Sequence, residues 1–256
     1  MNTDVSIDAF TDLALDVATA LIAAGAHSGR VHTNLKRLAQ KWGFGIELNL
    51  TFNAALITVR DASGNTLTRY KNTPPHSVHL ERLTEYSRMT WKVADGELSF
   101  DEAQQEARRI AQSPNYNDWL VAVAVGFSCA CLCLLAGGSF LNGCIAFLAA
   151  SLGSLVRVHI VKWKFNPMIS FVVASFVTSL IAGMDTLFGI GSSPEATLAT
   201  AVLYLVPGVP LVNSIIDLIE GYLTSAWNRA LFAAFILLCI AVGMALSIAL
   251  LGIDNF

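Results

Sequence analysis

The chain has 256 residues, 54% hydrophobic and 14% charged, with a formal net charge of −3. Residues 1–118 carry 26 of the 35 Lys, Arg, Asp and Glu side chains, and residues 119–256 carry the other 9. The long apolar runs of the second half exclude a single soluble globule and a disordered chain, and the lack of a basic block argues against nucleic acid as a partner.

The opening MNTDVSIDAF has no basic stretch, apolar core or cleavage site, and Asp4, Asp8, Asp12 and Asp16 follow one another closely. A secretory signal is not expected, so the first half should remain in the cytoplasm. All five cysteines (Cys129, Cys131, Cys133, Cys144, Cys239) lie in the apolar half, which excludes a disulfide-stapled extracellular domain.

Helical periodicity runs through FTDLALDVATALIAAG, with Gly25 as its stop, and again through SGRVHTNLKRLAQKWG, with Ser28 as N-cap and Gly43 as terminator. FGIELNLTFNAALITVRDASGNTLTRYK is rich in β-branched and aromatic residues and reads as two or three strands, with a hairpin turn at Asp61–Asn65. Pro74-Pro75 punctuates. A helix over HSVHLERLTEYSRMTWKVADG ends at Gly96, and Ser99-Phe100-Asp101-Glu102 matches a capping box that opens another. Pro114 breaks the chain before the apolar half. The order is ααβββαα, enough for one small α+β domain. His76 and His79 are three apart and could share a helix face, but two histidines without a cysteine make a weak metal signal, and no glycine-rich phosphate loop follows a strand.

Five apolar spans follow: Trp119–Ala136, Phe140–Ile160, Met168–Met184, Ala196–Val212 and Leu231–Leu251. Each is close to the ~20 residues that cross ~30 Å of hydrocarbon. Positive residues set the orientation. With the first half inside, the connection holding Arg157, Lys162 and Lys164 and the one holding Arg229 are also inside, whereas the connection with Asp185 and Glu195 and the tail with Asp254 are outside. The expected fold is a membrane α-helical bundle of five transmembrane helices, N-in and C-out, carrying an N-terminal cytoplasmic α+β domain. The domain boundaries are 1–118 and 119–256, with the fourth helix broken at Pro207–Pro210. Small residues repeat at helical spacing (Ala146-Ala150-Ser154, Ala174-Thr178-Ala182, Ala241-Ala245-Ala249), as in close-packed membrane helices.

Within SCACLC, Cys129 and Cys133 share a face and Cys131 points away, so packing is a better reading than a metal site. The fourth span, TLATAVLYLVPGVPLVNSIIDLIEGY, is different. Pro207-Gly208-Val209-Pro210 interrupts it, and Asn213, Asp217 and Glu220 then fall on one face. Such a break is either a substrate site at a discontinuous helix, with Asp217 as an ion carrier, or a packing kink followed by an interfacial amphipathic helix. Asn142, near the outer end of the second span, is a further polar candidate, and Asp185 reads as a loop acid. Topology accounts for Arg157.

Three stretches, GAHSGRV, DWLVAVAVGFSCACLC and LVPGVPLVNSIIDLIEGY, resemble the threonine/serine exporter (ThrE) family, and most closely its YjjP-type branch. The resemblance runs from Gly25 to about Leu251. It implies a subunit of an exporter of small hydrophilic metabolites in the bacterial inner membrane, with a dicarboxylate such as succinate, or threonine and serine, as substrate. It also implies a small YjjB-like membrane protein as partner. Pro207, Gly208, Pro210, Asn213 and Asp217 match the family's motif, and with Asn142 they form the expected substrate path. Polar residues in spans without a second repeat also suit a homo-oligomer. No catalytic residue, metal or cofactor is expected. The alternative of another class is a membrane-anchored sensory or regulatory protein.

Overall fold

The computed structural model describes residues 5–163 and 165–253. Lys164, Asp254 and Phe256, on which part of the topological expectation rests, lie outside the described residues. The described chain packs as two compact units. One comprises the residues up to Pro114 together with Gly208–Phe232, and the other comprises Asn115–Pro207 and the residues from Ala233 onward.

The first unit begins with α1 (Ile7–Ala23), whose N-cap Ser6 Oγ accepts from the Ala9 N–H at 3.2 Å. Its apolar stripe of Phe10, Leu13, Val17 and Leu21 is fully buried. Next comes α2 (Ser28–Trp42), which ends at Gly43, a residue in the left-handed region where a side chain would be strained. Three antiparallel strands follow in the order β1 (Gly45–Leu50), β2 (Ala54–Arg60), β3 (Thr66–Asn72). The β2–β3 turn closes where Asn65 N–H donates to Asp61 Oδ1 at 2.8 Å. Ala55, Ile57 and Val59 alternate onto the buried face of β2, against α1. The unit continues with α3 (Leu80–Asp95), which stops at Gly96, and α4 (Phe100–Ala111), opened by the Ser99–Glu102 capping box.

Two details differ from the sequence reading. Ser28 is the first residue of α2 rather than its cap; His27 caps it, its Nδ1 accepting from the Arg30 N–H at 3.3 Å. His76 and His79 do not share a helix face, because α3 starts at Leu80. Residues before it run extended along the end of α1, with Ser77 N–H donating to Ala23 O and His79 N–H to Ala24 O. His79 caps α3, and His76 stacks on Phe52 at a centroid distance of 3.8 Å.

The second unit holds α5 (Asp118–Leu135), α6 (Phe140–Lys162), α7 (Pro167–Phe188), α8 (Pro194–Ala201) and a single 3₁₀ turn (Leu203–Leu205). Among the described residues, four helices are long and apolar enough to cross a membrane: α5, α6, α7 and α10 (Leu223–Leu251). A fifth span exists if Pro194–Leu205 and α9 (Gly208–Ile219) count as one broken helix. The break lies at Val206-Pro207, at the start of the expected Pro207–Pro210 interruption, and the stretch Ala196–Val212 runs through three short elements. Pro210 sits in the first turn of α9, where its missing N–H breaks no bond.

Small residues let the helices of this unit approach closely. Ala146, Ala150, Ala174, Thr178 and Ala182 are fully buried, as their spacing predicts, whereas Ala241, Ala245 and Ala249 are exposed. A Cβ added to Gly153 of α6 would lie 1.9 Å from Thr178 Oγ1 of α7. Cys129 and Cys133 are buried and Cys131 is exposed.

Helix α10 starts eight residues before the expected Leu231. Nothing in Thr224-Ser225-Ala226-Trp227-Asn228 breaks a helix, and Arg229 therefore lies within it rather than in a connection. Asp185 is likewise no loop acid. It lies in the last turn of α7 and is fully buried.

Candidate functional site

The polar face of α9 meets the turn between α1 and α2. Gly25 takes a φ of +98°, open to glycine at little cost, and reverses the chain there. The reversal frees carbonyls and the first N–H groups of α2 for long-range partners. Asn213 Nδ2 donates to Gly25 O at 2.8 Å. Ser28 N–H donates to Asp217 Oδ1 at 2.7 Å, and Ser28 Oγ donates to Oδ2 at 3.2 Å. Arg229 places Nε 2.9 Å from Asp217 Oδ2, an ion-pair contact off the hydrogen-bonding angle, and Nη2 donates to Ala26 O at 2.8 Å. Phe52 lies under the guanidinium at 5.4 Å.

Asp217 and Arg229 are both almost wholly buried, at 0% and 2% exposure. Pairing and hydrogen bonding compensate their desolvation, which unpaired charges would not tolerate. Asp217 therefore has a resident counter-charge and a helix N-terminus beside it, an arrangement that supports a fixed anchor over a free ion carrier.

One residue beyond α9, Glu220 Oε2 lies 3.2 Å from His27 Nδ1. That nitrogen has one position for a proton or a lone pair, so capping Arg30 and donating to Glu220 are alternatives. His27, Asp217 and Glu220 offer ligand atoms within 4.8 Å of one another. The Asp217 oxygens are already engaged by Ser28 and Arg229, and the trio is accounted for as a hydrogen-bonded ion-pair network. A cavity of about 290 Å³ opens beside it, lined by Gly25, His27, Arg30, Gly208, Val209 and Asn213.

The second unit has its own polar cluster. Asp185 Oδ2 accepts from Asn142 Nδ2 and from Thr197 Oγ1, both at 2.6 Å, and Oδ1 accepts from the Gly191 N–H at 2.7 Å. Asn142 also spends its carbonyl on the Ser139 backbone N–H in a second capping box. Arg157 of α6 forms no ion pair among the described residues. Its guanidinium lies over the Phe171 ring at 4.4 Å, and its buried Nε has no hydrogen-bond partner.

The sequence-predicted path residues thus fall in both units: Gly208, Pro210, Asn213 and Asp217 in the first, Pro207 and Asn142 in the second. Gly208 and Asn213 share a cavity, Asp217 is locked in an ion pair, and Asn142 serves Asp185. Sequence reasoning missed Ser28 and Arg229 as the partners of Asp217, and assigned Arg157 to topology alone. Only a basic residue within an apolar run signals the two arginines.

A family model described as "Putative threonine/serine exporter" (ThrE) matches residues 12–251. The chain is 28% identical over 251 residues to "Probable succinate transporter subunit YjjP" of Escherichia coli, covering 97% of each protein. Its identity to the protein of the same name in Klebsiella aerogenes is 27% over 251 residues, covering 97% of this chain and 96% of that one. To the "Probable threonine/serine exporter" of Mycobacterium tuberculosis it is 27% identical over 253 residues, 95% of this chain but 46% of that protein. No solved structure matches the chain.

Proposed function

The chain belongs to the threonine/serine exporter (ThrE) family, and from that membership we propose that it is one subunit of an exporter carrying small hydrophilic metabolites across the bacterial inner membrane. The proposed substrate is a dicarboxylate such as succinate. The observation that carries this reading is the near-complete match, end to end, with two relatives named as succinate transporter subunits. A subunit needs a second piece, and we place a small YjjB-like membrane protein in that role. The N-terminal unit is proposed to face the cytoplasm, since the positive-residue bias favours it.

Two features support a carboxylate substrate. Arg157 is a guanidinium among apolar helices without an ion-pair partner among the described residues, and intramembrane cations normally meet an anion, protein carbonyls or water. The cavity lined by Gly208 and Asn213 also includes Arg30. We keep Pro207, Gly208, Pro210, Asn213, Asp217 and Asn142 as proposed path residues. Gly208 is exposed and lines the cavity with Asn213, whose amide is held by Gly25, whereas the buried Asp217 and Asn142 are held by protein partners and would meet substrate only in another conformation.

The second reading is export of threonine or serine, which the name of the mycobacterial relative favours. A sensory or regulatory protein is the weaker alternative, because a plain anchor needs neither a broken helix nor polar clusters inside its spans. The test is metabolite release from cells expressing this chain, the partner, or both. Succinate release that needs both supports the first reading. Threonine release in its place supports the second, and no change in either argues against export.

A further inference from the structure

A second and larger cavity, of about 610 Å³, lies in the first unit between α2, α3 and the residues after α9. Its floor is one face of α2. Arg30, Asn34 and Arg37 recur there at i, i+4 and i+7, and Ser87 and Trp91 of α3 stand opposite, with Glu220 and Tyr222 at one side. Arg30 donates through Nε and Nη2 to Ser87 Oγ at 3.3 and 3.2 Å. Arg37 donates through Nη1 to Asn34 Oδ1 at 3.1 Å and to Thr90 Oγ1 at 2.7 Å.

Each arginine therefore spends two of its five N–H donors on neutral oxygens, and the rest have no partner among the described residues. Neither forms a salt bridge among the described residues, whereas Arg69, Arg88 and Arg109 on the same unit all do. Burial pushes the Arg37 guanidinium down from its usual range, against a smaller upward pull from Asp95. The Trp91 ring stacks under it, 3.7 Å from the guanidinium carbon. That contact holds the planar fork in place, and a fixed fork is the geometry that binds carboxylates in a bidentate manner.

The anchoring oxygens of the two forks, on Ser87 and Thr90, are three residues apart on α3, a rise of ~4.5 Å. Two guanidiniums leaning to points one turn apart suit an anion with two charged ends better than a single carboxylate. The one acidic side chain lining the cavity, Glu220, already sits beside His27.

We propose that this pocket binds a small dicarboxylate between Arg30 and Arg37. The site shares its substrate class with the export reading but does not depend on transport. Arg37 and Trp91 line this pocket and not the cavity at Gly208. The ligand would touch both α2 and the Glu220–Tyr222 segment, and so would report cytoplasmic dicarboxylate to the turn that α9 engages.

The test is a fluorescence titration of the full chain in lipid nanodiscs at fixed ionic strength, with succinate, threonine, phosphate and chloride. Trp91→Phe identifies the part of the signal that comes from this pocket. Succinate is expected to give a saturable change that Trp91→Phe removes. Arg37→Gln should weaken it about 10–100-fold, the loss of a charge-assisted bidentate contact. Arg37→Lys keeps the charge but not the fork and should fall between, which separates recognition from misfolding. The proposal is overturned if succinate gives no saturable change, if threonine or phosphate matches it, or if Arg37→Gln binds like the unaltered chain. Export with no Trp91 signal would remove this proposal alone, and a Trp91 signal without export would remove only the export reading.

Discussion

The backbone N–H of Ser28 donates to the Asp217 carboxylate at 2.7 Å, joining residues 189 positions apart in the chain. Asp217 thereby stands at the N-terminus of α2, where the helix dipole favours a negative charge. Arg229 of α10 neutralises it from the other side. Three elements, α2, α9 and α10, share this one carboxylate, and almost no water reaches it.

Removing one charge of this pair should cost more than removing both. Asp217→Asn leaves Arg229 buried without an anion, and Arg229→Gln leaves the converse. Each is expected to destabilise the first unit by about 3–5 kcal/mol. The double variant Asp217→Asn with Arg229→Gln should recover part of that loss. Thermal midpoints of the four proteins in one detergent measure the coupling, and strictly additive losses would show that the pair is not a unit.

Asn142 holds the buried Asp185 carboxylate in the second unit. Asn142→Ala removes one of the three hydrogen-bond donors that the described residues offer that carboxylate and should cost about 1–3 kcal/mol, and Thr197→Ala, which removes another, should cost a similar amount. Chemical unfolding followed at Cys133, buried in the same unit, reads the effect. An unchanged exposure rate in Asn142→Ala would mean that Asp185 finds another donor.

Stability of the first unit should fall as the pH drops below the ordinary histidine value. Burial of His76 on Phe52 pushes its imidazole below 6.5, and the nearby Arg229 charge adds to this, while the backbone at Phe52 and Ile22 works against it. The unfolded chain then binds the proton more readily than the folded one. The His76 contribution is therefore intact above pH 6.5 and is lost as pH falls towards the lower folded-state value. Thermal midpoints between pH 8 and pH 5 should show a smaller decline in His76→Phe, which keeps the stacked ring and removes the titrating group.

Much of the local structure is written in the sequence because short-range chemistry dictates it. Gly43 and Gly96 end helices, the Ser99–Glu102 box starts one, and Asp61–Asn65 closes a hairpin, each within a few residues of its partner. The apolar spans are equally legible from composition. What sequence periodicity does not carry is pairing between distant segments. Nothing near Arg229 says that its anion lies on the preceding helix, so a basic residue in an apolar run reads as a loop marker. His27 and His79 cap helices through ring nitrogens, a role that cap preferences for Ser, Thr, Asp and Asn hide. Asp185 reads as a loop acid in the sequence because its donors, Asn142 and Thr197, are 43 and 12 residues away.

The break before α9 should matter for export and little for insertion. Pro207→Ala together with Pro210→Ala restores two backbone donors and lets residues 194–219 approach one continuous helix. Succinate release is expected to fall several-fold at unchanged membrane levels. Normal release at normal levels would leave the break as a packing kink.

The most direct measurement is uptake into proteoliposomes preloaded with succinate, containing this chain and the proposed YjjB-like partner, with labelled succinate outside. Exchange that requires both proteins and drops at least tenfold in Arg157→Gln is the predicted result. Exchange by neither succinate nor threonine, with both proteins folded and inserted, would contradict a role as an export subunit.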